Sequence, residues 1–299
     1  MKIKVGSRGS KLALTQTRWV VDKLKEKNPN IDFEIKIIRT KGDKIKDIPL
    51  DKIGDKGLFV KEIENALLKG EIDIAIHSMK DMPSSLPTGL KFASIPKRED
   101  ARDVLILKEG YSDLDSLPRG AKIGTGSKRR KYQLLNYRDD LEIVPIRGNI
   151  ETRIEKIKTQ NLDGVVLAAA GIKRLGLEEK ISMYLPNEII LPSPSQGALA
   201  LEIREDDKQL EDMIDSISSK QACIQVKAER AFLKGVNGGC HIPIGAYATI
   251  NGDEIILDTL FGDEDGKKLV RKTKSSKISE AEELGLELAK TVLEEFGDE

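Results

Sequence analysis

Near the end of the chain, residues 236–245 read VNGGCHIPIG, so Cys240 follows two glycines and precedes one of only two histidines. Paired glycines let a backbone turn tightly or approach another group closely, which suits a loop that presents a thiol. A buried loop cysteine satisfies the same letters, because free cysteine is among the most buried residue types. A second candidate is GTGSKRR, where Ser127, Lys128, Arg129 and Arg130 stand where a strand turns into a helix. Backbone N–H groups at a helix start attract anions, and two guanidinium forks add bidentate recognition of carboxylate or phosphate. The spacing is not that of a Walker loop, which needs four residues between its glycines.

Other charged groups recur at the same kind of position. Arg8 and Ser10 in SRGS follow the first apolar run, Lys52 and Lys56 flank glycines in DKIGDKG, and Arg147 and Arg153 in IRGNIETR begin another helix. Singly, each reads as a solvated charge. Together, at strand ends of an open α/β sheet, they predict a cleft for a polyanionic ligand. In IHSMKDMPSSLP, Ser78, Lys80 and Asp81 follow a short apolar strand and Pro83 stops regular structure. A carboxylate there is either a surface partner of the lysine or, among arginines, an ionised group able to steady a developing cation or pass a proton. His77 and Cys223 sit among apolar neighbours and read as core.

The elements that must position these groups alternate. IKVGS, IDFEIKI and DIAIHS read as strands, with helices over LALTQTRWVVDKLKEK and GLFVKEIENALLKG between them. PKREDARD is a charged break after which the pattern repeats in DVLILK, AKIGTGSKRRKYQLLNY, LEIVPIRGNIETRIEKIK and DGVVLAAAGIKRLG, as expected of a second α/β domain with a parallel-type sheet. LPSPSQGALALEIREDD reads as the return crossing. From about residue 217 the pattern becomes helix, glycine-cysteine loop, strands and a last helix, with Ser279 and Glu282 spaced as a capping box. The expected organisation is α/β: domain 1 over residues 1–97, completed by 197–215; domain 2 over 98–196; and a smaller α+β domain 3 over 216–299.

The totals exclude several classes. At 299 residues with 39% apolar content the chain suits more than one core. Its 50 basic and 50 acidic side chains cancel, against general nucleic-acid binding. The last 49 residues carry 14 acids and 7 bases, leaving 43 bases against 36 acids in residues 1–250, so a basic surface is compatible with zero net charge. No run of about 18 apolar residues and no apolar leader with a small-residue cleavage site is present, so a cytoplasmic protein without membrane association is expected. Two cysteines without CxxC spacing predict neither a disulfide framework nor a zinc site.

SRGSKLALTQ, DKGLFVKE, HSMKDMP, GTGSKRR, RGNIETR, AAAGIKRLGL, SQGALALE and NGGCHIPIG occur in this order. In that set, through its whole length, the chain resembles the porphobilinogen deaminase (hydroxymethylbilane synthase) family. His241, where many relatives have glutamine, and Lys128, where an apolar residue is common, depart from the pattern. The resemblance implies two type-II solute-binding-protein-like α/β domains plus the smaller α+β domain. It also implies a dipyrromethane cofactor bound to Cys240 by a thioether, with porphobilinogen as substrate, no metal and a monomer. Four porphobilinogen molecules are then joined head to tail with loss of ammonia, and 1-hydroxymethylbilane is released by hydrolysis. By residue-for-residue match, Asp81 is catalytic; Ser78, Lys80, Asp81, Ser127, Arg129 and Arg130 meet the cofactor; and Arg8, Ser10, Lys52, Arg147, Arg153, Arg174 and Gln196 meet substrate. Two other classes fit some of the letters. A solute-binding module of the same architecture needs neither the thiol nor the aspartate, and a thiol hydrolase would need Cys240 and His241, sequence neighbours, to point together.

Overall fold

Short apolar runs become strands and amphipathic stretches become covering helices in the computed structural model, which describes residues 2–44, 60–238 and 242–297. In chain order, β1 (Lys2–Ser7), α1 (Lys11–Lys27), β2 (Asp32–Ile37), α2 (Lys41–Lys44), α3 (Lys61–Leu68), β3 (Ile74–Ser78) and β4 (Leu90–Phe92) come first. Then follow β5 (Asp103–Leu107), β6 (Lys122–Gly124), α4 (Lys128–Tyr137), β7 (Glu142–Val144), α5 (Ile150–Thr159), β8 (Gly164–Ala168), α6 (Ala169–Arg174) and β9 (Met183–Leu185). The chain ends with β10 (Leu199–Arg204), α7 (Lys208–Asp215), α8 (Lys220–Gly235), β11 (Ile244–Asn251), β12 (Glu254–Gly262), β13 (Leu269–Lys277) and α9 (Ala281–Gly297).

Two compact units result, one of Met1–Glu99 with Ala198–Cys223 and the other of Asp100–Gly197 with Ile224–Glu299. The first holds a sheet ordered β2-β1-β3-β10-β4, in which β1 lies parallel to β2 and β3 while β10 runs antiparallel to β3 and β4. The second holds a sheet ordered β7-β6-β8-β5-β9 with the same directions: β6 parallel to β7 and β8, and β5 antiparallel to β8 and β9. Both sheets are therefore mixed: the parallel strands that the strand-helix repeat predicts are joined by antiparallel ones. The reason is that β5 and β10 are the strands laid down as the chain crosses over and returns, and each enters its sheet from the end where the parallel strands finish.

Apolar residues on both sheet faces follow the strand period. In the first unit Ile3, Val5, Ile74, Ile76, Leu201 and Ile203 pack with Val20 and Leu24 of α1, while Ala75 on the other face meets Ile63 and Leu67 of α3. Each fully buried aliphatic side chain of this kind contributes on the order of 1.5–3 kcal/mol. The second unit also contains the three-stranded β11-β12-β13 sheet, whose Ala246, Ile255 and Leu257 pack with Phe232 of α8 and Leu288 and Val292 of α9. This is the α+β element expected at the end of the chain. β13 eluded the pattern because LVRKTKSSK is half charged, a composition that suits an edge strand. Ser279 does not cap α9; it lies inside a 3-10 turn over Ile278–Glu280 that leads into the helix. None of the helices described is long and apolar enough to cross a membrane.

Candidate functional site

In the first unit, two neighbouring parallel strands deliver their following loops to one sheet edge. β1 ends at Ser7 and α1 starts after Ser10, whose Oγ caps the helix by accepting from the Ala13 N–H at 3.2 Å. Thr17 Oγ1 donates to Ser7 Oγ at 2.8 Å, and Ser7 Oγ donates to the Arg8 carbonyl at 3.0 Å, which fixes the turn carrying Arg8. Gln16 Nε2 donates to Ser78 Oγ at 3.0 Å and so ties α1 to the end of β3. Beyond Ser78 the chain makes a 3-10 turn over Met79–Asp81. Met79 and Met82, 1% and 3% exposed, anchor that turn in the core, and the Met82 N–H donates to the Met79 carbonyl at 3.1 Å. Asp81 lies between the two anchors, exposed and with no hydrogen bond or ion pair among the described residues. Apolar anchoring on both sides thus fixes where the carboxylate stands.

Behind this strand lies a buried titratable cluster. His77 Nε2 is 3.2 Å from Glu202 Oε2, across the β3–β10 pair, and Glu202 Oε1 has no partner among the described residues. His77 is therefore a satisfied core histidine, as its neighbours predict. Glu64 on α3 is 7% exposed; burial first, and then the Glu202 charge, push its carboxyl up from 4.5 to about 7. A carboxyl raised in the folded state holds a proton that the unfolded chain releases, so stability falls as pH rises from about 4.5 to 7 and the full cost stands above 7. Glu64→Gln should remove that slope and be more stable than the parent at pH 8 by about 2–3 kcal/mol, with little difference at pH 4.5. Urea unfolding at the two pH values checks this; parallel pH profiles for the two proteins would exclude it.

In the second unit the same topology gathers charge. β6, β7 and β8 are parallel, so Ser127–Arg130, Arg147 with Arg153, and α6 with Arg174 all follow the carboxyl ends of neighbouring strands. Ser127 caps α4, its Oγ accepting from the Arg130 N–H at 3.5 Å. Because β5 runs the other way, its first residue, Asp103, arrives at the same edge opposite Ala168. Asp103 is 0% exposed. Its Oδ1 accepts from Arg130 Nη2 at 2.7 Å, and its Oδ2 lies 2.8 Å from Arg129 Nη1. Both arginines are buried; Arg129 Nη1 also donates to the Leu191 carbonyl at 2.7 Å, and Arg130 Nη1 to that of Val166 at 3.0 Å. Burial pushes the Asp103 carboxyl up, but the two guanidinium charges outweigh it and hold the group well below the usual carboxylate range. Burial lowers Arg129, with Asp103 opposing.

Gln196 belongs to this cluster. Ser195 and Gly197 take φ of 63° and 88°, which turns the side chain between them inward, and Glu229 Oε2 accepts from the Ser195 N–H at 2.6 Å to hold that unusual backbone. Gln196 Nε2 then donates to Asp103 Oδ1 at 2.9 Å and to the Ala101 carbonyl at 2.7 Å. Arg174 Nη2 donates to the Gly197 carbonyl at 2.6 Å, and Arg153 Nε to that of Gly148 at 2.7 Å. Arg147 is half-buried, with its Nη1 enclosed and without a hydrogen-bond partner among the described residues, as is Arg130 Nε.

The structure thus brings Arg8, Ser10, Ser78, Lys80 and Asp81 to one edge of the first unit. It brings Ser127, Arg129, Arg130, Arg147, Arg153, Arg174 and Gln196 to the corresponding edge of the second. Lys52, Lys56, Cys240 and His241 lie outside the described residues. Cys223 is half-buried, not core, its Sγ accepting from the Ile95 N–H at 3.3 Å. Lys128 Nζ lies 3.9 Å from Glu264 Oε2. Reasoning from the sequence missed Asp103 and Gln16. Asp103 did leave a signal: it opens DVLIL, and a charged residue at the head of an apolar strand needs a partner.

A carboxylated ligand fits these residues. Two buried guanidinium groups share one carboxylate, and two enclosed guanidinium N–H groups, one on Arg130 and one on Arg147, still want an acceptor.

Two family models match the chain, one described as porphobilinogen deaminase, dipyromethane cofactor binding domain, over residues 3–212, and one as porphobilinogen deaminase, C-terminal domain, over residues 223–294. A protein named porphobilinogen deaminase from Clostridium novyi (strain NT) is 64% identical over 299 residues, covering 99% of this chain and 100% of that one. One of the same name from Clostridioides difficile (strain 630) is 62% identical over 296 residues, covering 99% and 98%. Among solved structures, the periplasmic VFT2 domain of Bordetella pertussis BvgS aligns with a TM-score of 0.44 at 15% identity, covering 72% of this chain and 86% of that one.

Proposed function

The chain belongs to the porphobilinogen deaminase family, and from that premise we propose how its own residues carry the reaction. The enzyme joins four porphobilinogen molecules head to tail, releases ammonia at each step and frees 1-hydroxymethylbilane by hydrolysis. When bound, its dipyrromethane cofactor would supply the free pyrrole carbon to which the first unit is joined, each later unit being joined to the one before it. In our reading the protein is a transferase that works as a cytoplasmic monomer. Domain 1 spans residues 1–97 with 197–215, domain 2 spans 98–196 and domain 3 spans 216–299.

Pyrrole units carry acetate and propionate side chains, so every unit added brings negative charge. Ser127, Arg129 and Arg130, with Ser78 and Lys80, hold the cofactor carboxylates. Arg8, Ser10, Lys52, Arg147, Arg153, Arg174 and Gln196 hold those of arriving substrate. Cys240 attaches the cofactor through sulfur, since a thiolate is a strong nucleophile toward an electrophilic carbon. Asp81 balances the cation that forms as porphobilinogen loses ammonia and takes part in proton transfer.

The observation that carries this reading is the buried arginine pair with a single acidic partner among the described residues, an arrangement that favours a further anion. The intact mass tests it. The parent should weigh more than its polypeptide by two pyrrole units, and Arg147→Leu, which keeps bulk and removes the fork, should retain that surplus but stall in elongation. A parent of bare polypeptide mass would favour a ligand-binding module instead.

A further inference from the structure

Asp103 is not among the groups that the reaction uses, yet it organises those that are. It is fully buried, and its two oxygens are divided between Arg130 and Arg129 at 2.7 and 2.8 Å. Gln196, also fully buried, donates to the same Oδ1 at 2.9 Å. The carbonyls of Leu191 and Val166 each take a further N–H of the pair. Among the described residues no other acidic side chain pairs with Arg129 or Arg130, so two buried positive charges meet one negative charge. With no internal carboxylate, two desolvated cations would repel each other and pull α4 toward solvent. With two carboxylates, the pair would be neutral and hold no attraction for an acid. One carboxylate meets both demands, holding the forks in place and leaving one charge to be balanced.

We propose that Asp103 is the internal counter-ion of Arg129 and Arg130, a positioning residue that holds both forks in the unloaded protein while leaving one positive charge for an entering carboxylate. The inference rests on the reading of Arg129 and Arg130 as carboxylate binders.

The full chain carrying Cys240→Ser, which blocks covalent loading, isolates the effect. In that background Asp103→Asn keeps shape and most hydrogen bonds but leaves two uncompensated cations. Its melting temperature should fall by on the order of 10 °C. It should also become dependent on an added dicarboxylate: succinate, exchanged for chloride at constant ionic strength, should raise its melting temperature by several degrees more than that of the Asp103 protein. A carboxylate with a merely structural role would give no such anion dependence. Asp103→Asn/Arg130→Gln returns the cluster to one net positive charge and should recover much of the lost stability, which keeps the test decisive if the single variant folds poorly. Equal melting of Asp103→Asn and its background, equal succinate responses, or purely additive losses in the double variant would overturn the proposal. A parent protein without covalent pyrrole mass would sink the functional reading while leaving these comparisons intact.

Discussion

Asp81→Asn, loaded with dipyrromethane before the assay, should consume porphobilinogen in a single turnover about a hundred- to a thousandfold more slowly than the parent. The figure is that of removing one preorganised electrostatic partner from a developing charge, on the order of 2.7–4 kcal/mol in oxyanion sites and carried here to a cation. Asparagine keeps size and hydrogen-bonding capacity, so the loss isolates charge. The turn should also remain in place, because buried Met79 and Met82 hold it on either side and the Asp81 side chain makes no hydrogen bond or ion pair among the described residues. Binding of substrate should weaken far less than the rate falls. Asp81→Glu, with its charge displaced by one methylene, should retain part of the activity. Near-parent turnover by the asparagine variant would remove Asp81 from the reaction, and a glutamate variant slower than the asparagine one would make geometry, not charge, the governing property.

Cys240→Ser is expected to fold, to carry no covalent pyrrole mass and to show no turnover above background. A hydroxyl is a far weaker nucleophile than a thiolate toward an electrophilic carbon, so attachment fails even where all the carboxylate partners are intact. Cys223→Ser is the matched control. Its thiol is occupied with the Ile95 backbone, accepting from the N–H at 3.3 Å, and a serine there should still load and turn over. Intact masses of the two variants decide the matter, since the reverse pattern would move the anchor to Cys223. An unloaded Cys240→Ser protein with parent activity would separate the thiol from catalysis altogether.

Much of this molecule is local and therefore legible along the chain. The strand period of IAIHS and the helical period of KLALTQTRWVVDKLKEK each depend on residues within a few positions of one another. The same locality made Asp81, at the end of a short apolar strand, and the arginines that start α4 readable as candidates. Cys240 was legible as a residue type between glycines and a histidine, while its surroundings lie outside the described residues.

Tertiary structure alone decided how those candidates are used. Arg130 and Asp103 are 27 residues apart, Gln196 and Asp103 are 93 apart, and His77 and Glu202 are 125 apart. No periodicity links such positions. They meet because β5 and β10 run antiparallel to the strands beside them, which brings the start of one strand to the end of its neighbour. That reversal made the arginines buried members of a charge cluster instead of open forks. A charge can be read in one letter, but whether it is solvated, paired or left wanting a partner depends on what the fold removes from water around it.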